Sequence, residues 1–544
     1  MPKVDYSKYW TAREGETAGE LLSKWVKEKP DETFIVFGER RITWKELGKL
    51  TACLASGLLD LGMKKGDRIG ILGPNHPEVL ISWFAAARVG IVVVPINTRY
   101  RKMELEYLIN DSGCTAVVTI DEFDEFKFSD AVKEIGDNNS TLKHIIVYGN
   151  EKENDKPFLS FDNFVNEVGI NQPSIEANKP KSSEELMILY TSGTTGVPKG
   201  VVHTHDSMLC NSKAYLEEVW HITTDDIVLL AMPWTHMIGH QMFFNSAFLL
   251  GQTLVLMEAY NPILLVDIME KEKVTWFVGV PTMFMLPIMK IPDFDKHDLS
   301  SLKFGVTCGF YAPPEQMKLF KTSYDIDLIQ LLGSTEAGGM LMNRRDDPED
   351  VAFVCLGRPV SNMKLKICDK DGQDVPVGDV GELWFKGPSI FKCYWNKPDV
   401  TKKEKDADGY WHSGDMGRQI DERGNVQMVS RKKDVVIRGG FNIYPGEIEA
   451  FVLNMSEVQM AVLIGYPDKV LGGKTFLNVM LKEGKVLTEA QVRSKFSEYM
   501  ANYKMPDIIK IQSSPLPLLP TGKADKVAVR KTLLKEMGLV DVSL

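Results

Sequence analysis

Cysteine pairs in CxxC spacing are missing from this 544-residue chain. Its seven cysteines (Cys53, Cys114, Cys210, Cys308, Cys355, Cys368 and Cys393) are scattered and odd in number. That argues against a zinc site and a disulfide framework, and it suits a reducing compartment, so a cytoplasmic protein is expected. An excess of basic charge is also missing: Lys and Arg total 64 against 74 Asp and Glu, a formal net charge of −10. A nucleic-acid partner wants a basic face, so none is expected. No apolar run is long enough to span a bilayer; Ile81–Val94 is interrupted by Arg88 and reads as a helix running into a buried strand. The opening MPKVDYSKYWTAREGE has neither the apolar stretch of a signal peptide nor the bias of a transit peptide, so neither is expected. No low-complexity tract or short-period repeat is present. What remains is an ordinary globular composition, 44% hydrophobic and 25% charged. A single core serves up to roughly 250–300 residues, so at least two domains are expected.

Short apolar runs alternate with amphipathic stretches from about Thr33 to Leu332. Arg68–Leu72, Val92–Ile96, Ala116–Ile120, Lys143–Val147, Ile227–Ala231, Thr253–Met257, Trp276–Val280 and Ile326–Leu331 read as strands, and Lys45–Leu61 and Glu78–Val89 as helices. The alternation predicts an α/β fold of βα units with mostly parallel sheets. From about Val351 to Met428 the segments Lys364–Cys368, Gly381–Lys386 and Val426–Val429 alternate between Gly, Pro and Asp turns, which predicts a small antiparallel β unit. Strands at Ala461–Gly465 and Phe476–Leu481 and helices at Pro445–Leu453 and Thr488–Met500 follow on a smaller scale. A boundary near Ser430–Asp434 divides an N-terminal domain, 1–430, from a C-terminal one, 431–544.

Chemistry concentrates first in Thr191–Gly200, TSGTTGVPKG, directly after the strand-like Leu186–Tyr190. Glycines let such a loop approach a phosphate with consecutive backbone N–H groups. Ser192, Thr194 and Thr195 add hydroxyls, Gly193 and Gly196 add freedom, and Lys199 adds a point charge. Lys199 is preceded by Pro198 and followed by Gly200, so this is not the Walker A pattern. Gly333-Ser334-Thr335-Glu336 follows a strand-like run, where a hydroxyl and a carboxylate can meet a nucleotide and Mg²⁺; a helix N-cap is the plainer reading of the same residues. Asp415 in Trp411-His412-Ser413-Gly414-Asp415 can accept from both hydroxyls of a ribose, or simply occupy a β-turn. Ser430-Arg431-Lys432-Lys433-Asp434 is a basic run that by itself reads as solvated surface. Lys523 in Pro520-Thr521-Gly522-Lys523 is shaped for presentation by Pro and Gly, though a lone Gly-Lys is usually a surface turn. His236 and His240 could share a helix face at metal-ligand spacing, but no third ligand lies near and packing or a pocket role is the better reading. His203 and His205 read as surface residues.

Taken together and in this order, these strings resemble the adenylate-forming superfamily of acyl-CoA synthetases, peptide-synthetase adenylation domains and luciferases. The resemblance extends from Gly66-Asp67-Arg68 and Pro74-Asn75 to Pro520–Lys523, most of the chain. It implies a large N-terminal domain of two βα-layered sheet subdomains with a β-barrel-like unit, and a small mobile α+β C-terminal domain. It assigns Thr191, Ser192, Gly193, Thr194, Thr195, Gly196 and Lys199 to the triphosphate. Glu336 would hold Mg²⁺, with Gly333, Ser334 and Thr335 at the nucleotide. Asp415 would hold the ribose and Arg431 the ribose or phosphate. Lys433 would be the hinge, Gly439 and Gly440 the path of pantetheine, and Lys523 the catalytic lysine. Thr307-Cys308-Gly309-Phe310-Tyr311-Ala312 stands in the adenine-side segment; Cys308 and Phe310 depart from the smaller residues usual there, and Tyr311 is either an adenine stack or a core aromatic. Ser430 replaces the usual glycine before the arginine. His236, in Pro233-Trp234-Thr235-His236, would border the acyl pocket together with Thr307, Gly338 and Met340.

The implied activity is ATP-dependent conversion of a carboxylic acid to acyl-AMP and then to the coenzyme A thioester, in a monomer or homodimer. Trp234, His236, Phe310, Tyr311 and Met340 point to an apolar or aromatic-lined pocket for a medium-chain, branched or cyclic acid. An enzyme that loads a carrier-protein phosphopantetheine is a rival, although no carrier domain follows Leu544. A nucleotide-binding regulator with dead chemistry is a second, opposed by the joint presence of Lys199, Glu336, Asp415, Arg431 and Lys523.

Overall fold

The computed structural model describes residues 16–149, 158–191, 198–309, 312, 314–438, 441–468, 471–500, 504–519 and 523–538. Two large sheets dominate. In one, Glu185–Thr191, Val92–Ile96, Arg68–Leu72, Cys114–Ile120, His144–Tyr148 and Leu159–Ser160 run parallel in that spatial order, and Lys199–Thr204 and Cys393–Tyr394 add an antiparallel edge. In the other, Asp327–Ser334, Phe304–Cys308, Trp276–Gly279, Ile227–Leu230, Thr253–Leu256 and Thr33–Phe37 run parallel, with antiparallel strands closing both edges. The central strands are continuous runs of β-branched and apolar residues. Val92–Ile96 is buried at every position, as a strand covered on both faces by helices must be.

The helices carry the start signals the sequence contains. Trp44–Asp60 is capped by the Thr43 hydroxyl, which accepts from the Glu46 N–H, and Pro77–Arg88 begins on a proline whose missing N–H costs nothing there. One hydrophobic cluster runs from Ala18 to Val426 and includes five fully buried tryptophans, Trp44, Trp83, Trp220, Trp234 and Trp276. Asn75 ties the two sheets together. Its amide nitrogen donates toward the carbonyls of Leu230 (3.3 Å), Met232 (3.0 Å) and Met257 (2.9 Å), and its oxygen accepts from the Trp234 N–H at 2.8 Å. The Trp234 indole N–H in turn donates to the Gly73 carbonyl at 2.9 Å. Trp234, expected beside an acyl pocket, is therefore a strut between the sheets: its ring is 1% exposed. An indole that satisfies its N–H on backbone carries its bulk into the core.

A four-stranded antiparallel sheet of Lys364–Cys368, Gly381–Lys386, Trp411–Gln419 and Val426–Arg431 follows. Beyond it lies a smaller α+β unit. Val436–Arg438, Phe441–Ile443, Val458–Asp468 and Gly472–Leu481 pair antiparallel, with Ile508–Gln512 parallel to the last of these. Strand period two gives this sheet a core on each side: Leu463 faces one, and its neighbours Val462 and Ile464 face the other. Neither core shares a residue with the large cluster. The helix Pro445–Leu453 rests on strand Val426–Arg431, and Gly446 makes this possible; a Cβ there would lie 2.4 Å from the Val429 carbonyl oxygen. No described helix is long and apolar enough to cross a membrane.

Candidate active site

The predicted phosphate loop joins two antiparallel strands, with Thr191 opposite Lys199 and Tyr190 opposite Gly200. Ser192, Gly193, Thr194, Thr195 and Gly196 lie outside the described residues. Gly200 has no room for a side chain, since a Cβ would lie 2.8 Å from Ile188 and 3.1 Å from the Trp395 side chain. Trp395 N–H donates to the Gly200 carbonyl at 2.7 Å, and the Tyr107 hydroxyl donates to the Pro198 carbonyl at 3.0 Å. The far end of the loop is therefore held on both sides.

Lys199 reaches from this hairpin into a polar cluster. Its ammonium is 2.9 Å from a Glu404 oxygen and 4.6 Å from the centre of the Tyr394 ring. The Tyr394 hydroxyl lies 2.6 Å from the other Glu404 oxygen and 3.0 Å from Glu336. Glu336 sits on the turn between strands Asp327–Ser334 and Gly338–Met342, so Thr335 and Glu336 follow the carboxyl end of a sheet strand rather than capping a helix. Burial raises the Glu336 carboxyl above its usual range, and the Glu404 carboxylate adds to the rise. The Ser334 hydroxyl accepts from the Ala337 N–H at 3.1 Å. Gly338 takes φ +69°, and a Cβ there would lie 2.0 Å from Gln241, whose amide oxygen accepts from the Gly339 N–H at 3.1 Å. Gly333 is exposed, and Met340 and Thr307 are buried.

His203 and His205 do not lie on the surface. They are 1% and 0% exposed. His203 Nε2 is 2.7 Å from the Thr335 carbonyl, which can only accept, so this nitrogen carries the proton and steadies the Glu336 turn. Burial drops its pKa to about 4 and keeps it neutral. His205 Nδ1 accepts from the Ala18 N–H at 3.2 Å. Alternation along Lys199–Thr204 could have placed either face inward, and both partners are remote in sequence.

Asp415 is 1% exposed, on strand Trp411–Gln419. Arg431 Nε approaches its Oδ1 to 2.6 Å in an ion pair, yet neither carboxylate oxygen receives a well-directed hydrogen bond from the described residues. Burial pushes its pKa up to about 6, against the pull of Arg431. Lys523 lies in the same electrostatic neighbourhood. The small C-terminal unit presents it on a turn closed by the Leu519 N–H donating to the Lys523 carbonyl at 2.7 Å. Its side chain is exposed, yet desolvation by nearby protein lowers its ammonium pKa, and Arg431 lowers it further. Cys308, Asp415 and His236 all sense its charge. His236 is exposed as well. Its Nδ1 accepts from the Ile238 N–H at 3.2 Å, and burial first, then Lys523, takes its pKa to about 4. A lysine of the small unit thus acts on a carboxylate and a neutral imidazole of the large one, with Arg431 at the boundary between them.

Cys308 ends strand Phe304–Cys308, and burial pushes its thiol to about 12, which removes it as a nucleophile. Gly309 follows with φ +88°, a conformation that favours glycine. Phe310 and Tyr311 lie outside the described residues, as do Gly439 and Gly440, which join strands Val436–Arg438 and Phe441–Ile443. Lys433 lies in the short 3₁₀ turn Lys432–Asp434 that links strand Val426–Arg431 to the small unit. His240 is fully buried against Trp83 and Phe244, ring centres 5.2 Å from each, and the described residues form no metal-ligand cluster. Tyr394 and Glu404 were missed from sequence; neither sits in a glycine-rich string, and their partners are far along the chain.

Thr191, Cys308 and Ser334 all stand at the carboxyl ends of sheet strands, the usual edge for ligands in open α/β sheets. Comparison with known proteins agrees. A family model described as AMP-binding enzyme matches residues 22–395, and one described as AMP-binding enzyme C-terminal domain matches 447–523. The chain is 30% identical over 543 residues to a putative acyl-CoA synthetase, YngI, of Bacillus subtilis, covering 96% of this chain and 98% of that one. It is 28% identical over 547 residues to the mitochondrial medium-chain acyl-CoA ligase ACSF2 of Mus musculus, covering 96% and 88%. Among solved structures, ATP-bound MatB from Rhodopseudomonas palustris matches with a TM-score of 0.84 at 26% identity, covering 96% of this chain and all of that one.

Proposed function

The chain belongs to the AMP-binding enzyme family, in its acyl-CoA synthetase branch, and from that premise we propose that it joins a carboxylic acid to coenzyme A through an acyl adenylate. The observation that carries this reading is Lys523, which the small C-terminal unit brings into the electrostatic reach of Asp415 and His236 of the large one, with Arg431 at the boundary between them. In the first step an acid carboxylate oxygen attacks the α-phosphorus of ATP and pyrophosphate leaves. Two anions must approach, so much of the barrier is repulsion. Lys523 and Lys199 offset it as cations beside the reacting phosphate, where protein displaces part of the water that would screen them. The two oxygens of Asp415 that lack good donors fit the vicinal hydroxyls of a ribose, and Arg431 steadies the carboxylate.

Glu336 is our candidate for holding Mg²⁺. A half-buried carboxylate beside a second one, with the Tyr394 hydroxyl as its side-chain donor, suits a cation that takes few protein ligands and relies on phosphate and water for the rest. Mg²⁺ would supply charge neutralisation on the phosphates. Thr191 to Gly196, Gly309, Phe310 and Tyr311 complete the proposed nucleotide site, with Thr335 and Ser334 at the phosphates. Neutral His236, Thr307, Gly338 and Met340 border the acyl side. In the second step the coenzyme A thiol attacks the acyl carbon, AMP leaves, and the thiol proton passes to solvent. We place the domain boundary at 430/431 and the pivot at Lys433, which lets Lys523 withdraw and the Gly439-Gly440 turn approach. Similarity to a 28%-identical medium-chain acyl-CoA ligase supports a medium-chain, branched or cyclic acid. A reducing compartment agrees with seven free cysteines.

A panel of such acids, incubated with ATP and coenzyme A, should give AMP and thioester in equal amounts. Thioester only with a phosphopantetheinyl carrier protein would favour the rival acceptor, and no pyrophosphate release with any acid would overturn the reading.

A further inference from the structure

Glu404 is the last residue of helix Pro398–Glu404, where a carboxylate meets the negative end of the helix dipole. Something else must hold it there. One oxygen lies 2.9 Å from the Lys199 ammonium and the other accepts from the Tyr394 hydroxyl at 2.6 Å. The Lys199 and Glu404 side chains are 16% and 30% exposed, so the pair is only partly screened by water. Tyr394 is itself 2% exposed and lies under the Lys199 ammonium, so its hydroxyl fixes the carboxylate from the protein side.

We propose that Glu404 stands in for phosphate. It holds the Lys199 ammonium while the site is free of nucleotide, yields it to the triphosphate, and recaptures it as pyrophosphate leaves. This rests on the reading that Lys199 meets the phosphates. The geometry carries the rest. Lys199 can turn all its donors to a polyanion only by loosening this pair, and a carboxylate that stays 2.9 Å away repels what Lys199 attracts. Glu404 is thus a positioning residue, and its removal strengthens phosphate binding instead of weakening it.

The experiment reads binding directly, by titration calorimetry of the full chain with magnesium pyrophosphate and with Mg·ATP. Glu404→Gln should tighten pyrophosphate about two- to fivefold, the range of a partly exposed ion pair, and lower the KM for ATP without raising kcat. Glu404→Asp, whose shorter arm reaches Lys199 less well, should fall between. In a Lys199→Ala background, Glu404→Gln should gain clearly less, since only the repulsion between carboxylate and phosphate is then relieved. An equal gain in both backgrounds would mean plain charge repulsion without a displaced pair; with Lys199 intact, unchanged binding would show that Glu404 does not compete for it, and weaker binding that Glu404 helps the phosphates; any of these results overturns the proposal. Melting temperatures within experimental error of the parent's establish that the variants fold. Because binding is measured without an acid, failure to make any adenylate would count against the proposed activity alone.

Discussion

Asp415 shows how one residue carries both a cost and a use. Its carboxylate is removed from water, has Arg431 at 2.6 Å, and has no well-directed donor among the described residues. An unsatisfied buried carboxylate costs stability until a ligand completes it. With its pKa pushed up to about 6, it is ionised at neutral pH and protonates just below. AMP binding should therefore weaken as pH falls through about 6, and Asp415→Asn should flatten that profile while weakening neutral-pH binding by about 1.5–3 kcal/mol, the worth of hydrogen bonds to a charged group. Calorimetry across the pH range checks both; a parallel slope in the variant would remove Asp415 from the ribose. The sequence made Asp415 visible because its motif is contiguous. It could not reveal Tyr394 or Glu404, whose roles exist only through contacts with Glu336, 58 residues away, and Lys199, 205 away. The burial of His203 was hidden likewise, since its Thr335 partner lies 132 residues on.

Strands and helices were legible where pattern alone decides them. Arg68–Leu72, Val92–Ile96, Lys364–Cys368, Gly381–Lys386 and Pro445–Leu453 have the bounds that their apolar runs and turn residues predict. What pattern did not give was edge pairing. The segment predicted to bind phosphate connects the antiparallel strands Glu185–Thr191 and Lys199–Thr204, and Thr335-Glu336 lies between another such pair, because both sheets end in antiparallel strands that only the fold assigns. A further element-scale consequence concerns Gly446, on the helix that rests on strand Val426–Arg431. Adding a methyl 2.4 Å from the Val429 carbonyl forces the small unit away from this pose. Gly446→Ala should slow adenylate formation roughly tenfold or more, since about 1.4 kcal/mol of misfit is enough, and spare thioester formation from supplied acyl-AMP. Equal loss of both steps would mean that the helix packs the same way throughout the cycle.

At the scale of the molecule, two sheets share one core while the small unit keeps its own, so pH can act on the junction of the sheets apart from the site. His76 sits at that junction, 2.8 Å from Glu78 and 3.2 Å from Glu258. Burial pulls its pKa down, but the two carboxylates outweigh it and lift the imidazole from 6.5 to about 9. A raised folded-state pKa stabilises fully below the unfolded value and fades as pH climbs through the folded one. Thermal stability should therefore decline between pH 6.5 and about 9, and His76→Gln should remove that slope and lie below the parent at low pH. Melting curves at constant ionic strength test this; a parent curve that rises over the interval contradicts it.

The central claim is that Lys523, carried on the small unit, serves only the step at phosphorus. Both half-reactions of Lys523→Ala should be measured in one preparation: pyrophosphate release from acid and ATP, and thioester release from supplied acyl-AMP and coenzyme A. The first should fall by about 100-fold or more, the scale of losing one preorganised charge, while the second stays near the parent rate. Equal damage to both, or none to the first, would contradict it.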